Sequence, residues 1–187
     1  MRWQELFADL ESQARSLERA DQDAEIAERT RAELGQITLV NRLRAQVGQS
    51  LRLTVSGQQT LSGRLDQVGS DWLLLASPTE VIVPMSGVTS VTDLPLTAVS
   101  PEGVGAVASQ ITLASALRAV AMDRATVRVR FRDKGTLTGT PDRVGADFFD
   151  LAVHDLGDVP RTSSVRTRET IGYGAVAFVQ RANTGWC

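Results

Sequence analysis

Two stretches of this chain occur twice. Ile37-Thr-Leu-Val-Asn-Arg-Leu-Arg-Ala45 returns as Ile111-Thr-Leu-Ala-Ser-Ala-Leu-Arg-Ala119, and Thr60-Leu-Ser-Gly-Arg-Leu-Asp-Gln-Val-Gly-Ser-Asp71 returns as Thr136-Leu-Thr-Gly-Thr-Pro-Asp-Arg-Val-Gly-Ala-Asp147. A recurring pattern of this length means two copies of one supersecondary unit, and it restricts the fold more than any local propensity does. The first pair is offset by 111 − 37 = 74 residues and the second by 147 − 71 = 76. A weaker third match, Pro84–Val91 against Gly172–Val179, has an offset of 179 − 91 = 88, so the second copy carries an insertion around His154 to Arg168. What recurs is helix caps, strand alternation and turn glycines. None of these moves protons, binds metal or cradles phosphate.

The local pattern predicts three kinds of segment. Residues 2–34 hold no Gly or Pro and read as one long helix, ended by Gly35. Its apolar positions follow a seven-residue register, with Trp3, Leu10, Leu17 and Ala24 on one line and Leu6, Ala20, Ala27 and Leu34 on the other. That face predicts either packing along the chain's own barrels or a homodimer seam. Each repeat then opens with a short helix behind a cap threonine, Thr38 or Thr112. Beyond it the period changes to two: Leu51, Leu53 and Val55 alternate with polar residues, as do Val127, Val129 and Phe131. A longer second strand follows, then the Val-Gly-x-Asp turn, an apolar run (Trp72–Ala76 or Phe148–Val153), and two short strands joined by one turn.

A short helix followed by about five bent strands, with Gly63 and Gly139 inside the long second strand, resembles the Sm-like small barrel. The resemblance covers 37–94 and 111–181 and is one of shape. The Asp, Asn and Arg-Gly positions by which that family holds RNA are not matched, since Gly69 and Gly145 stand near the Asp position and the last turns read Pro84-Met-Ser-Gly87 and Gly172-Tyr-Gly-Ala175. The chain is also similar to a group of actinobacterial proteins that join an N-terminal helix to this motif, which implies no particular activity. The resulting expectation is a mainly β fold with some α: a long N-terminal helix followed by two repeated Sm-like barrels, each preceded by a short helix. The segments would be an acidic helix (1–35), a first barrel (36–94), a linker (95–110), a second barrel (111–182) and a tail (183–187). Barrels of about 60 residues are marginal alone, so a pseudo-twofold pair packed together is expected.

Composition narrows the function. The chain has 187 residues and a formal net charge of −2, with 42% hydrophobic and 22% charged residues, as in an ordinary globular protein. It lacks the apolar start of a secretory signal and any apolar run of membrane length, which predicts a cytoplasmic protein that does not enter membranes. The single cysteine, Cys187, excludes an internal disulfide and a cysteine zinc cluster. Residues 1–36 carry nine acids against five arginines, and residues 99–187 carry eleven basic residues against nine acids. Neither balance demands a polyanionic partner.

Candidate chemistry is sparse. His154, the only histidine, lies beside Asp155 in the insertion and reads as a solvated loop residue. Asp158, Ser163 and Ser164 nearby form no metal or nucleophile spacing. No enzyme activity, metal or cofactor is expected. The positive lead is a basic stripe: Arg128, Arg130 and Arg132 fall on one side of a strand, with Arg124 before and Lys134 after. Like charges this close call for compensation, whether by acids of the N-terminal helix, by an acidic protein partner or by a phosphate backbone. The expected function is therefore a non-enzymatic interaction or regulatory module with a protein partner. The alternative is a nucleic-acid-associated protein contacting phosphates through the stripe. Trp72, Phe148 and Phe149 are expected in the core, and Trp186 has no assigned place.

Overall fold

The computed structural model describes residues 3–76, 79–100, 110–154 and 167–182, with the backbone alone at 3–6, 8–10, 14, 17, 20 and 21. Residues 1–38 form one compact unit and residues 39–187 another. The first is a single helix, α1 (Trp3–Gln36). Glu11–Arg15 and Glu25–Arg29 pair along it at 3.2 and 3.0 Å; each exposed pair is worth about 0.3–0.5 kcal/mol. The helix runs through Gly35, and its end is closed two residues beyond the expected stop, where the Ile37 amide donates to the Leu34 carbonyl.

The second unit contains α2 (Leu39–Arg44), β1 (Ser50–Val55), β2 (Gln59–Val68), β3 (Trp72–Ala76), β4 (Val81–Pro84), β5 (Val88–Thr92), α3 (Leu113–Met122), β6 (Val127–Phe131), β7 (Thr136–Val144), β8 (Phe148–Val153), β9 (Thr167–Gly172) and β10 (Val176–Arg181). One-turn 3-10 helices, Met85–Gly87 and Tyr173–Ala175, bridge the last two strands of each repeat. Thr112 caps α3, its hydroxyl accepting from the Ser115 amide at 3.3 Å.

The expected pair of Sm-like barrels is not what these strands form. All ten lie in a single antiparallel sheet, ordered β5-β1-β2-β3-β4-β10-β6-β7-β8-β9. The two repeats join where β4 pairs with β10, Ile82 opposite Val179 and Val81 opposite Gln180. The expected pseudo-twofold relation fails for the same reason. A twofold joins like edges, whereas here the last strand of one order meets the first strand of the next, head to tail.

The physical cause lies in three strands that are apolar on both faces. Leu73 and Leu75 of β3 and Val83 of β4 enter one core with Leu43, Leu53 and Leu65. Their alternating neighbours Trp72, Leu74 and Ile82 pack into the other, with Leu117, Val129 and Phe149. Strand β10 reciprocates, sending Ala177 and Phe178 to the first core and Val176 and Val179 to the second. A continuous run such as Trp72-Leu-Leu-Leu75 is the sequence form of a strand with no solvent face. Each repeat thus lends side chains to the other's core.

Two expectations about single residues also change. Phe148, expected in the core, is 38% exposed. His154 is not a solvated loop residue: it is 2% exposed, with Nε2 2.9 Å from Thr140 Oγ1. Its amide donates to the Thr138 carbonyl, so ladder contact with β7 continues one residue past β8 and carries the imidazole inside. Asp155, Asp158, Ser163 and Ser164 lie outside the described residues.

Candidate functional site

The join between repeats builds a groove, and the Val-Gly-Ser-Asp turn of the first repeat positions it. A Cβ on Gly69 would collide with the Trp72 indole and lie within 2.5 Å of the Ile111 carbonyl, so only glycine lets the indole fold back over the turn. The indole N–H then donates to the Ile111 carbonyl at 3.0 Å, and the Ser70 amide donates to the same oxygen at 3.0 Å. Asp71 accepts from the Leu113 amide at 2.7 Å. A carboxylate on the first turn of α3 compensates the positive end of that helix, and together these bonds fix α3 of the second repeat above β3 and β4 of the first.

Between them lies a groove of about 370 Å³. Trp72, Leu74 and Ile82 supply apolar lining from the first repeat, and Ala116, Ala119 and Val120 supply the wall on α3. The alanines matter, because larger side chains at these positions would fill the space. The lining also includes charged groups: Arg181 reaches Glu80 at 3.2 Å and Asp123 at 3.4 Å. Among the described residues no histidine, cysteine, lysine or tyrosine lines the groove, and the one hydroxyl among them is that of Ser115. The arrangement can desolvate an apolar side chain beside an ionic group, and among the described residues it holds no nucleophile–base pair. A second, more open hollow of about 730 Å³ lies near Arg52, Ser62 and Asp93 and mixes polar with apolar lining.

The residues singled out in sequence are dispersed by comparison. Arg128 and Lys134 are exposed, and Arg124 is exposed at a turn. Both Arg124 and Lys134 have left-handed backbone, with φ of 50° and 75°. Arg130 donates to Thr136 Oγ1 at 2.7 Å. Arg132 is half-buried and donates to the Ser86 carbonyl at 2.7 Å, tying the second repeat to the 3-10 turn of the first. The stripe thus spends part of its hydrogen-bonding capacity on the fold. On α1, Ala24 and Ala27 are exposed, as are Phe7, Ile26 and Leu34. The side chains of Trp3, Leu6, Leu10, Leu17 and Ala20 lie outside the described residues.

The groove escaped sequence reading, although the repeat contained a signal for it. At equivalent positions α2 has Asn41 and Arg42, with Gln46 in the turn just after it, where α3 has Ser115, Ala116 and Val120. That loss of long polar side chains from one helix face marks the surface.

Tyr173 belongs to the second core, where its ring stacks near that of Phe149. Its hydroxyl donates to the Gly145 carbonyl at 3.0 Å. Burial raises its pKa above the ordinary value; Arg118 opposes the shift, while Asp71 and Asp147 add to it. Among the described residues no helix is long and apolar enough to cross a membrane, and no three His, Cys, Asp or Glu side chains cluster to hold a metal ion. The chain matches no family model, no curated protein and no solved structure.

Proposed function

We propose that this chain is a non-enzymatic interaction module whose binding site is the groove between α3 and strands β3 and β4, and that the groove takes an extended peptide carrying a bulky apolar side chain. The carrying observation is internal to the fold. The equivalent face of α2 is already covered by an extended stretch of the chain itself. Arg42 donates to the carbonyls of Leu94 and Pro95 at 2.6 and 2.8 Å, Gln46 to Thr97 Oγ1 at 3.1 Å, and the Val99 amide to the Asn41 carbonyl at 3.1 Å. On α3 the polar anchors are replaced by Ala116 and Val120, so an extended segment there would be held by burial of a side chain against Trp72. The volume suits one large apolar anchor, the kind of residue that dominates peptide recognition.

A photo-crosslinking amino acid placed at Ala119 in the full-length chain, in its native cells, tests this. A discrete protein adduct that survives nuclease and disappears on adding Ala116→Glu is expected. An Ala116→Ser control, together with circular dichroism of both variants, separates a blocked groove from a misfolded one. Adducts formed only from a crosslinker at Arg128, and removed by nuclease, would replace this reading with phosphate-backbone contact.

A further inference from the structure

The groove is electrostatically lopsided. Among the described residues its charged lining is Glu80, Asp123 and Arg181, a sum of 1 − 2 = −1. One guanidinium serves both carboxylates, at 3.2 Å from Glu80 and 3.4 Å from Asp123. All three side chains are more than half exposed, so these pairs are weak and exchange partners readily. Asp123 closes the end of α3, its amide donating to the Ala119 carbonyl. The carbonyls of a helix end already carry negative partial charge, and a carboxylate beside them adds to it.

The first repeat supplies the contrast. There α2 carries Arg42 and Arg44 in its last turn, whereas α3 has no basic residue in its own. At either offset of the repeat, 74 or 76, the counterpart of Asp123 is uncharged, Gln49 or Val47. The segment that covers α2, Leu94-Pro-Leu-Thr-Ala-Val99, is uncharged as well. Neighbouring cations do not redress the balance at α3. Arg118 and Arg124 are exposed and outside the lining, and alternation along β6 turns Arg128 to the opposite side from Val127, which lines the groove.

We propose that the groove selects peptides in which a bulky apolar residue and a lysine or arginine stand two positions apart, with Glu80 and Asp123 holding the cation. This specificity rests on the groove being the binding site. Ala116, in the wall beside the apolar anchor, is 123 − 116 = 7 residues from Asp123, about 10 Å along the helix. Side chains two apart in an extended peptide share a face and lie about 7 Å from each other, and the stem of a long basic side chain spans the remainder. Arg181 neutralises one carboxylate and leaves the other for the ligand.

Arrays of capped heptapeptides, with phenylalanine, leucine or tryptophan fixed at the centre and the other positions varied, test this when probed with the full-length chain. Lysine or arginine two positions from the anchor is expected to raise binding roughly two- to fivefold over uncharged residues, as for an exposed ion pair, and aspartate or glutamate to lower it. Glu80→Gln combined with Asp123→Asn leaves Arg181 as the one charge in the lining, and is expected to keep the apolar anchor while turning the preference toward acidic residues. A structural role for the two carboxylates would instead weaken all peptides alike. Arg181→Gln, which leaves both carboxylates in place, is expected to sharpen the preference for basic residues and serves if the double variant unfolds by circular dichroism. Equal binding of basic, neutral and acidic peptides, or a preference that neither variant alters, overturns the proposal and leaves the apolar groove standing. Array binding that is absent, or indifferent to Ala116→Glu, removes the groove as the binding site and this specificity with it.

Discussion

Asp71 shows how a single side chain secures the join between the repeats, and Tyr173 how one fastens the second repeat to itself. Asp71 accepts from the first turn of α3, and replacing it by Ala removes that acceptor; by analogy with helix caps the cost is about 1–2 kcal/mol. Urea unfolding of Asp71→Ala should show a lower midpoint at unchanged slope, and Asp71→Asn should recover most of the loss. Tyr173 provides a pH signature. Its pKa in the fold lies above its unfolded value, so the contribution is complete below about pH 10 and is lost as pH rises toward the folded value. It is the only tyrosine, so absorbance at alkaline pH reads its ionisation directly. Titration should give a midpoint above that of free tyrosine, and Tyr173→Phe should flatten the alkaline fall in stability. Some of this was legible in sequence and some was not. The Val-Gly-x-Asp turn was visible, whereas the acceptor role of its aspartate toward the next repeat's helix depends on a contact across 42 positions of chain. The inward turn of His154 likewise depends on one ladder bond to Thr138.

At the level of elements, alternation placed the first strand of each repeat correctly because β1 and β6 each have one buried face. It failed for β3, β4 and β10, where both faces are buried and the apolar run carries no phase. That is also why the strands were assigned to separate barrels. Phe178 tests the shared arrangement: it belongs to the second repeat in sequence, is 3% exposed, and packs in the first repeat's core. Phe178→Ala should cost about 3–5 kcal/mol. Amide exchange should then accelerate at Leu53 and Leu73 as well as along β10. Acceleration confined to the second repeat would contradict a core held in common. The outer edges differ from the inner join. On β9, Thr167, Arg168, Glu169 and Thr170 are exposed, whereas Val81 and Ile82 on β4, the counterparts of Glu169 and Thr170, meet β10. Charged and polar side chains of this kind discourage a sheet edge from pairing further.

For the whole molecule, the mainly β character was legible in sequence, whereas the expected pair of repeated barrels gives way to one ten-stranded sheet. The way the copies combine was hidden, since it is set by pairing between strands far apart in sequence, as in Ile82 opposite Val179, 179 − 82 = 97 positions on. The groove follows from that join and from a few substitutions on α3. Because Ala177 and Phe178 complete one core while Trp72 completes the other, neither half retains a finished interior when severed. Expressed as residues 1–105 and 106–187, the two pieces should each be poorly ordered and should regain the native circular dichroism on mixing; independent folding of either would show that the exchange of side chains is dispensable. A sheet continuous through the β4–β10 pair thus makes a protein that could serve as a split reporter, in which reassembly of the fragments and restoration of the groove are one event.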